Sequence, residues 1–400
     1  MGAPCALLLD PLLPDALCPA VERDALRERL RRYDRLSRMA WAHLLHRFDV
    51  PALRSPVDSR LDGEHPDGTR VDATAVPRVR PWMSSPCPRR RPPPAWRAAL
   101  SHEEIRDLLR VRDWRAWVSV ATNWGVTFAA FALVAAWPNP FTVVAALGLI
   151  GTRQLGGAAL MHEAAHRVLF RDRALNDWVG NWLCAYPIWS DTERYRPYHL
   201  QHHAHTGTPQ DPDLALVLPF PVTRSSLRRK LWRDLSGQTG RKFARASFAR
   251  TFGRWRTDAA ARRAARGMLI TNLALLGLLA AAGHAALYLL WAGAWLTTNT
   301  LVTRIRFIAE HAMTPDRDDP LRNTRTVLPR WWERLLIVPN RLNYHLEHHL
   351  LMTVPHYNLP RMHRLLRDRG ALDHACVERS YLAILARAGS RTATSQAAGL

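Results

Sequence analysis

An all-α integral membrane protein, with four transmembrane helices in two hairpins, is the fold class this sequence of 400 residues predicts. Two observations carry that expectation. No charged residue occurs from Val118 to Thr152 or from Gly267 to Thr303, and each run suits two apposed spanning helices rising about 1.5 Å per residue. Turn residues then divide both runs, with Pro138-Asn139-Pro140 in the first and Ala292-Gly293 where the second is expected to reverse. A buried helix pair in a soluble domain is the competing reading, but charge-free runs of this length are rare there.

Charge gives the orientation. The formal net charge is +22, and Lys230 and Lys242 are the only lysines, an arginine bias of the kind GC-rich genomes produce. The expected hairpin turns contain no basic residue, whereas the stretch from Arg167 to Arg266 is crowded with them. By the positive-inside rule this stretch is cytoplasmic, and both hairpins enter and leave from that side. The basic balance thus reflects topology and anionic lipid rather than nucleic acid. Cys5, Cys18, Cys87, Cys184 and Cys376 are odd in number and irregularly spaced, which argues against a disulfide framework. The N-terminus does not read as a secretion signal, because Asp10, Pro11, Pro14 and Asp15 break its leucine run. The expected location is a bacterial inner membrane, with both termini cytoplasmic.

Three regions are expected along the chain. Residues 1–100 form an Arg/Pro-rich extension, largely disordered, with an amphipathic helix over 21–48 suggested by Leu26, Leu30, Tyr33, Leu44 and Phe48. The membrane domain covers 101–388 and starts at Ser101, which forms a capping box with Glu104. A disordered tail occupies 389–400. The returning helix of each hairpin carries charge near the hydrocarbon, Arg153 in the first and Arg304 and Arg306 in the second, and such residues must face a partner or a cavity.

The chemistry is concentrated in eight histidines: His162 and His166, then His199, His202 and His203, then His345, His348 and His349. Residues three and four apart share a helix face, so each group presents one nitrogen-rich edge. Imidazole is neutral at cytosolic pH, with a lone pair available to a transition metal. A lone histidine is more often a satisfied core residue. Three such groups with matching spacing instead point to ligands for two metals.

These stretches, His162-Glu163-Ala164-Ala165-His166, Tyr198-His199-Leu200-Gln201-His202-His203 and Asn343-Tyr344-His345-Leu346-Glu347-His348-His349-Leu350, resemble the histidine boxes of the membrane fatty acid desaturase superfamily, as does Pro355-His356-Tyr357-Asn358-Leu359-Pro360. The resemblance implies four spanning helices under a cytoplasmic helical cap that holds the boxes around a non-haem di-iron centre. It implies two iron ions as cofactor, O2 as co-substrate, and all eight box histidines as ligands. His311 is the expected ninth ligand, with His205 behind it. Glu163, Asp211, Asp213, Glu310 and Glu347 lie beside the boxes and could accept the far N–H of ligating imidazoles.

The reaction so implied is introduction of a double bond into a long acyl or related lipid chain. Its electrons would come from an external donor such as a ferredoxin or a cytochrome b5-like carrier. Hydroxylases and ketolases of the same superfamily are the main alternative. Another class is a membrane zinc metalloprotease using His162-Glu163-Ala164-Ala165-His166, with Asp62 of Leu61-Asp62-Gly63 as an outside third ligand, but this leaves two boxes unexplained. A metal transporter would hold its site near mid-bilayer, where the one expected histidine is His284. His65-Pro66-Asp67-Gly68 is too degenerate for a fused haem domain. Because ligands must be deprotonated, iron loss is expected below about pH 6.

Overall fold

A computed structural model describes residues 94–391. The amphipathic helix expected over 21–48, Cys5, Cys18, Cys87, Asp62, His65 and the tail beyond 391 lie outside the described residues. A short helix, Ala95–Ala98, precedes Ser101. Ser101 and Glu104 form the predicted reciprocal cap of the helix His102–Leu108: the Ser101 hydroxyl accepts from the Glu104 amide at 3.1 Å, and the Glu104 carboxylate accepts from the Ser101 amide at 2.9 Å.

Helix α1, Asp113–Ala136, and helix α2, Pro140–Ala165, are long and apolar enough to cross a membrane. The turn between them follows from its chemistry. Pro140 occupies the first helical position, where no N–H is needed, and Asn139 Oδ1 accepts from the amides of Phe141 and Thr142 at 3.0 and 3.1 Å. The two helices run antiparallel, since Ala130, Phe131 and Val134 pack with Ala146 and Ile150 at one end, and Ala116 and Val120 with Leu160, Met161 and Ala164 at the other.

From Ile150 to Ala165 helix α2 is enclosed on nearly all sides. Glycines make this possible: a Cβ on Gly151 would meet the Asn299 amide nitrogen at 2.8 Å and one on Gly157 the Cys184 carbonyl at 3.1 Å. Large apolar side chains face outward, among them Val118, Phe128, Phe141 and Val144, as lipid contact favours.

Beyond a π-turn at Gly180–Ala185 comes helix α3, Thr192–His205, whose N-terminus is capped by Asp191. The basic helices α4, Arg224–Leu235, and α5, Gln238–Phe252, lead to α6, Ala259–Ala281, the third described helix able to cross a membrane. Here the structure corrects the sequence. The chain reverses at Gly283, in the left-handed region at φ 81°, rather than at Ala292-Gly293. Gly293 instead lies inside helix α7, Tyr288–Leu296, where Leu147 packs beside it at a distance that a Cβ would also meet in ordinary van der Waals contact, 3.6 Å. His284, expected inside the span, is at the turn and exposed.

The expected fourth span is also divided. Helix α7 stops at Thr297, with φ −121° and ψ −86°, and helix α8, Thr298–His311, continues from there. The charged residues of the returning segments all have partners. Arg153 donates to the Leu335 carbonyl at 3.3 Å, Arg304 pairs with the buried Asp234, and Arg306 donates to Glu310 at 2.6 Å. Helix α9, His345–Leu350, carries the last box, and α10, Leu359–Asp368, packs beside it through Leu346, Leu359, Met362 and Leu366. Two short parallel strands, β1 at Thr326–Val327 and β2 at Val377–Glu378, tie the C-terminal segments together.

Candidate metal centre

Four helices deliver the histidines. His162 lies in the last turn of α2 and His166 caps it; α3 carries His199, His202 and His203; α8 ends in His311; α9 carries His345, His348 and His349. Their ring nitrogens fall into two groups. One joins His162, His166, His199, His203 and His348, the other His202, His311, His345 and His349, and within each the candidate donor atoms all lie within 4.8 Å of one another. The structure therefore brings together the eight box histidines and His311. His205 is in neither group.

Distances within the groups point to a cation. The Nε2 atoms of His166 and His199 stand 3.0 Å apart, those of His199 and His203 2.9 Å, and those of His203 and His348 3.0 Å. In the second group His345 Nε2 is 2.8 Å from His311 Nε2 and 3.1 Å from His349 Nε2. An imidazole nitrogen offers one hydrogen or one lone pair, so it can satisfy one close neighbour. His199, His203 and His345 each have two. A shared metal resolves the conflict, because every lone pair can then face it. Neighbouring nitrogens around a five- or six-coordinate metal with bonds of about 2.1 Å stand about 3.0 Å apart, against about 3.4 Å in a tetrahedral shell. The observed spacing fits the former.

Burial keeps these groups ready to bind. It pushes His166, His199, His203, His345, His348 and His349 well below the ordinary imidazole value, and adjacent imidazoles push in the same direction. They are neutral at pH 7, as ligation demands.

The comparisons with known proteins bear on this arrangement. Residues 135–380 match the family described as Fatty acid desaturase. The chain belongs to that family. A curated relative, dihydrorhizobitoxine desaturase of Bradyrhizobium elkanii, is 28% identical over 255 residues, covering 58% of this chain and 69% of the relative. The family hosts oxidoreductases, and its matched segment contains every histidine of both groups.

Around this fatty acid desaturase family site the carboxylates take different parts. Asp211 Oδ1 accepts from His202 Nδ1 at 2.8 Å, the far nitrogen of that ring, and Asp213 Oδ2 is 3.6 Å from the same atom. Asp211 is itself fixed by the Gly207 and Asp213 amides at 3.0 and 2.9 Å. Burial alone would raise the Asp211 carboxyl, but the His202 bond and those amides hold it below the usual range.

Glu163, Glu310 and Glu347 depart from the expected pattern. Glu163 is 3.8 Å from His162 Nδ1 and instead accepts from His356. Glu347 accepts from His363 Nδ1 at 2.6 Å and from Thr326 at 2.5 Å, because the helix turn that points His345 and His348 inward points it toward α10. Glu310 pairs with Arg306.

Sequence reasoning singled out Arg306 as a charge in need of a partner, but missed His356, His363 and Arg325 as parts of the site's frame. Arg325 is 1% exposed and donates to the carbonyls of Ala309, Ala312 and Met313, clamping the end of α8 at His311. Only His356 had a signal, lying in the Pro355–Pro360 stretch that matches the superfamily.

Proposed function

We propose that this chain is an oxygen-dependent membrane desaturase that removes two hydrogens from adjacent carbons of a long acyl or related lipid chain. One observation carries the reading: nine imidazoles from four helices converge as a five-nitrogen and a four-nitrogen site, with spacing that suits five- or six-coordinate metals better than a tetrahedral one. His162, His166, His199, His203 and His348 hold one iron, and His202, His311, His345 and His349 the other. Bound there, paired irons supply the O2 activation needed to break an unactivated C–H bond.

The chain's own part is to hold those nitrogens neutral and fixed, to orient His202 through Asp211, and to enclose the centre so that water is excluded. We assign α7 and α8 together as the fourth traverse of the membrane, broken at Thr297, and place the centre on the cytoplasmic side beneath a helical cap. Electrons come from a separate carrier, a ferredoxin or cytochrome b5-like protein, received on the basic surface around Arg228, Arg229 and Lys230.

A second reading concerns the substrate alone. The curated relative is named for dihydrorhizobitoxine, which supports desaturation of that or a similar compound in place of a lipid acyl chain. The test is expression with a reductase system, iron determination on the purified chain, and mass spectrometry of products from lipid and from dihydrorhizobitoxine. Two irons and a product lacking two hydrogens support desaturation. A product gaining one oxygen indicates the hydroxylase alternative, and one zinc without iron the protease.

A further inference from the structure

We propose that Glu310 donates a carboxylate oxygen to the four-histidine site as an additional metal ligand. The proposal rests on the reading that the two histidine groups hold metals.

Glu310 is 1% exposed and immediately precedes His311 on α8. One turn earlier, Arg306 donates Nε to Oε1 at 2.6 Å and fixes how the carboxylate is turned. The other oxygen, Oε2, is buried and has no hydrogen-bond partner. A carboxylate oxygen left so is costly, and buried polar atoms of this kind call for an explanation.

Its surroundings give one. The histidine nitrogen near Oε2 is His345 Nε2 at 3.6 Å, too far for a hydrogen bond. This is the converging nitrogen of His345, the one that faces His311 and His349. A carboxylate that served only to fix a ring's tautomer would face the far nitrogen, as Asp211 does at His202 Nδ1. Glu310 therefore lies on the ligand side of the ring.

Its neighbour site also has one donor fewer, four nitrogens against five. Glu310 is outside the set of atoms that already stand within 4.8 Å of each other, so ligation would need a small side-chain adjustment that brings Oε2 inward while Oε1 stays on Arg306. An anionic oxygen there would lower the charge of a divalent ion surrounded by neutral imidazoles, and would make the two sites chemically unequal.

The test is metal titration of the full chain in detergent, stripped by chelator and loaded anaerobically with Fe(II) or Co(II). Wild type, Glu310→Gln and Glu310→Ala are compared by metal per chain, by the dissociation constant of each step and by the Co(II) visible spectrum. Glu310→Gln keeps an acceptor for Arg306 and nearly the same shape, so it preserves the fold.

Wild type is expected to bind two metals. The variants are expected to bind one with wild-type affinity and the second about 10–100-fold more weakly, with the Co(II) spectrum altered for that second site. Two metals bound with unchanged constants and spectra in both variants would overturn the proposal, as would equal weakening of both sites. A wild-type chain that does not take up two metals overturns the functional reading itself, a result separable from any effect at Glu310.

Discussion

Glu163 and His356, 193 residues apart in sequence, are joined by two hydrogen bonds to one carboxylate oxygen, from the His356 amide at 2.8 Å and from its Nδ1 at 3.1 Å. The far side of the His356 ring meets Ser119 Oγ at 2.9 Å. This tether fastens the end of α2, which carries His162, to the loop following the last box and to α1. His356→Ala should therefore weaken metal binding about 10–100-fold. His356→Asn, whose amide can still donate to Glu163, should recover part of the loss. Chelator competition on purified protein measures both.

Asp211 fixes His202 through its far nitrogen, and Asn in its place can present either an oxygen or an NH2 to that ring. Asp211→Asn is expected to lower affinity at the His202, His311, His345 and His349 site about 10-fold or more while leaving the five-histidine site unchanged. Metal titration resolving two steps would show it; equal weakening of both would contradict it.

Individual histidines should report which site they serve. His348→Ala is expected to impair the five-nitrogen group and His202→Ala the four-nitrogen group, with turnover abolished in both and insertion preserved. Iron per chain, membrane yield and product formation separate these effects. Wild-type product from either variant would refute the assignment.

Acid should act on folding and metal together. The imidazoles of His166, His199, His203, His345, His348 and His349 are held well below the ordinary value of about 6.5, by burial first and neighbouring rings second. Between those depressed values and about 6.5 the unfolded chain binds more protons than the folded one. Stability of the metal-free protein is complete above that window and declines as pH falls through it. Release of iron is thus expected to accompany unfolding rather than precede it, which sharpens the simple expectation of loss below about pH 6. Iron retention and thermal midpoint followed together from about pH 7 to about pH 5 check this.

Packing against α2 gives a prediction at a distance from the site. A Cβ at Gly151 would collide with the Thr298 side chain and the Asn299 amide. Gly151→Ala should cost about 1–3 kcal/mol, and because α8 begins there and ends in His311, metal affinity at the four-histidine site should fall as well. Thermal unfolding in detergent and metal titration provide the measurements.

The convergent histidines were legible in sequence because spacing on a helix fixes which residues share an edge, and His162/His166 or His345/His348/His349 need no tertiary knowledge to be grouped. Their division between two sites was not legible. His202 and His203 are adjacent yet face different groups, since consecutive residues on a helix diverge by about 100°. Likewise Pro138–Pro140 announced its turn through chain stereochemistry, whereas the second reversal could not be placed among glycines of equal local promise. Gly283 turns and Gly293 packs, and the contact with Leu147 that distinguishes them is non-local. Arg325 and His363 escaped notice for the same reason: their partners, the end of α8 and Glu347, are near only after folding.

Because the donors come from α2, α3, α8 and α9, neither pocket exists on a nascent chain until synthesis has passed Leu350. On the proposed function, metal loading is therefore a late event in the protein's maturation, one that a prematurely terminated polypeptide could never complete however well its early helices inserted. Cells starved of iron during translation should accumulate an inserted apoprotein that is activated afterwards, without new synthesis, once the ion is restored.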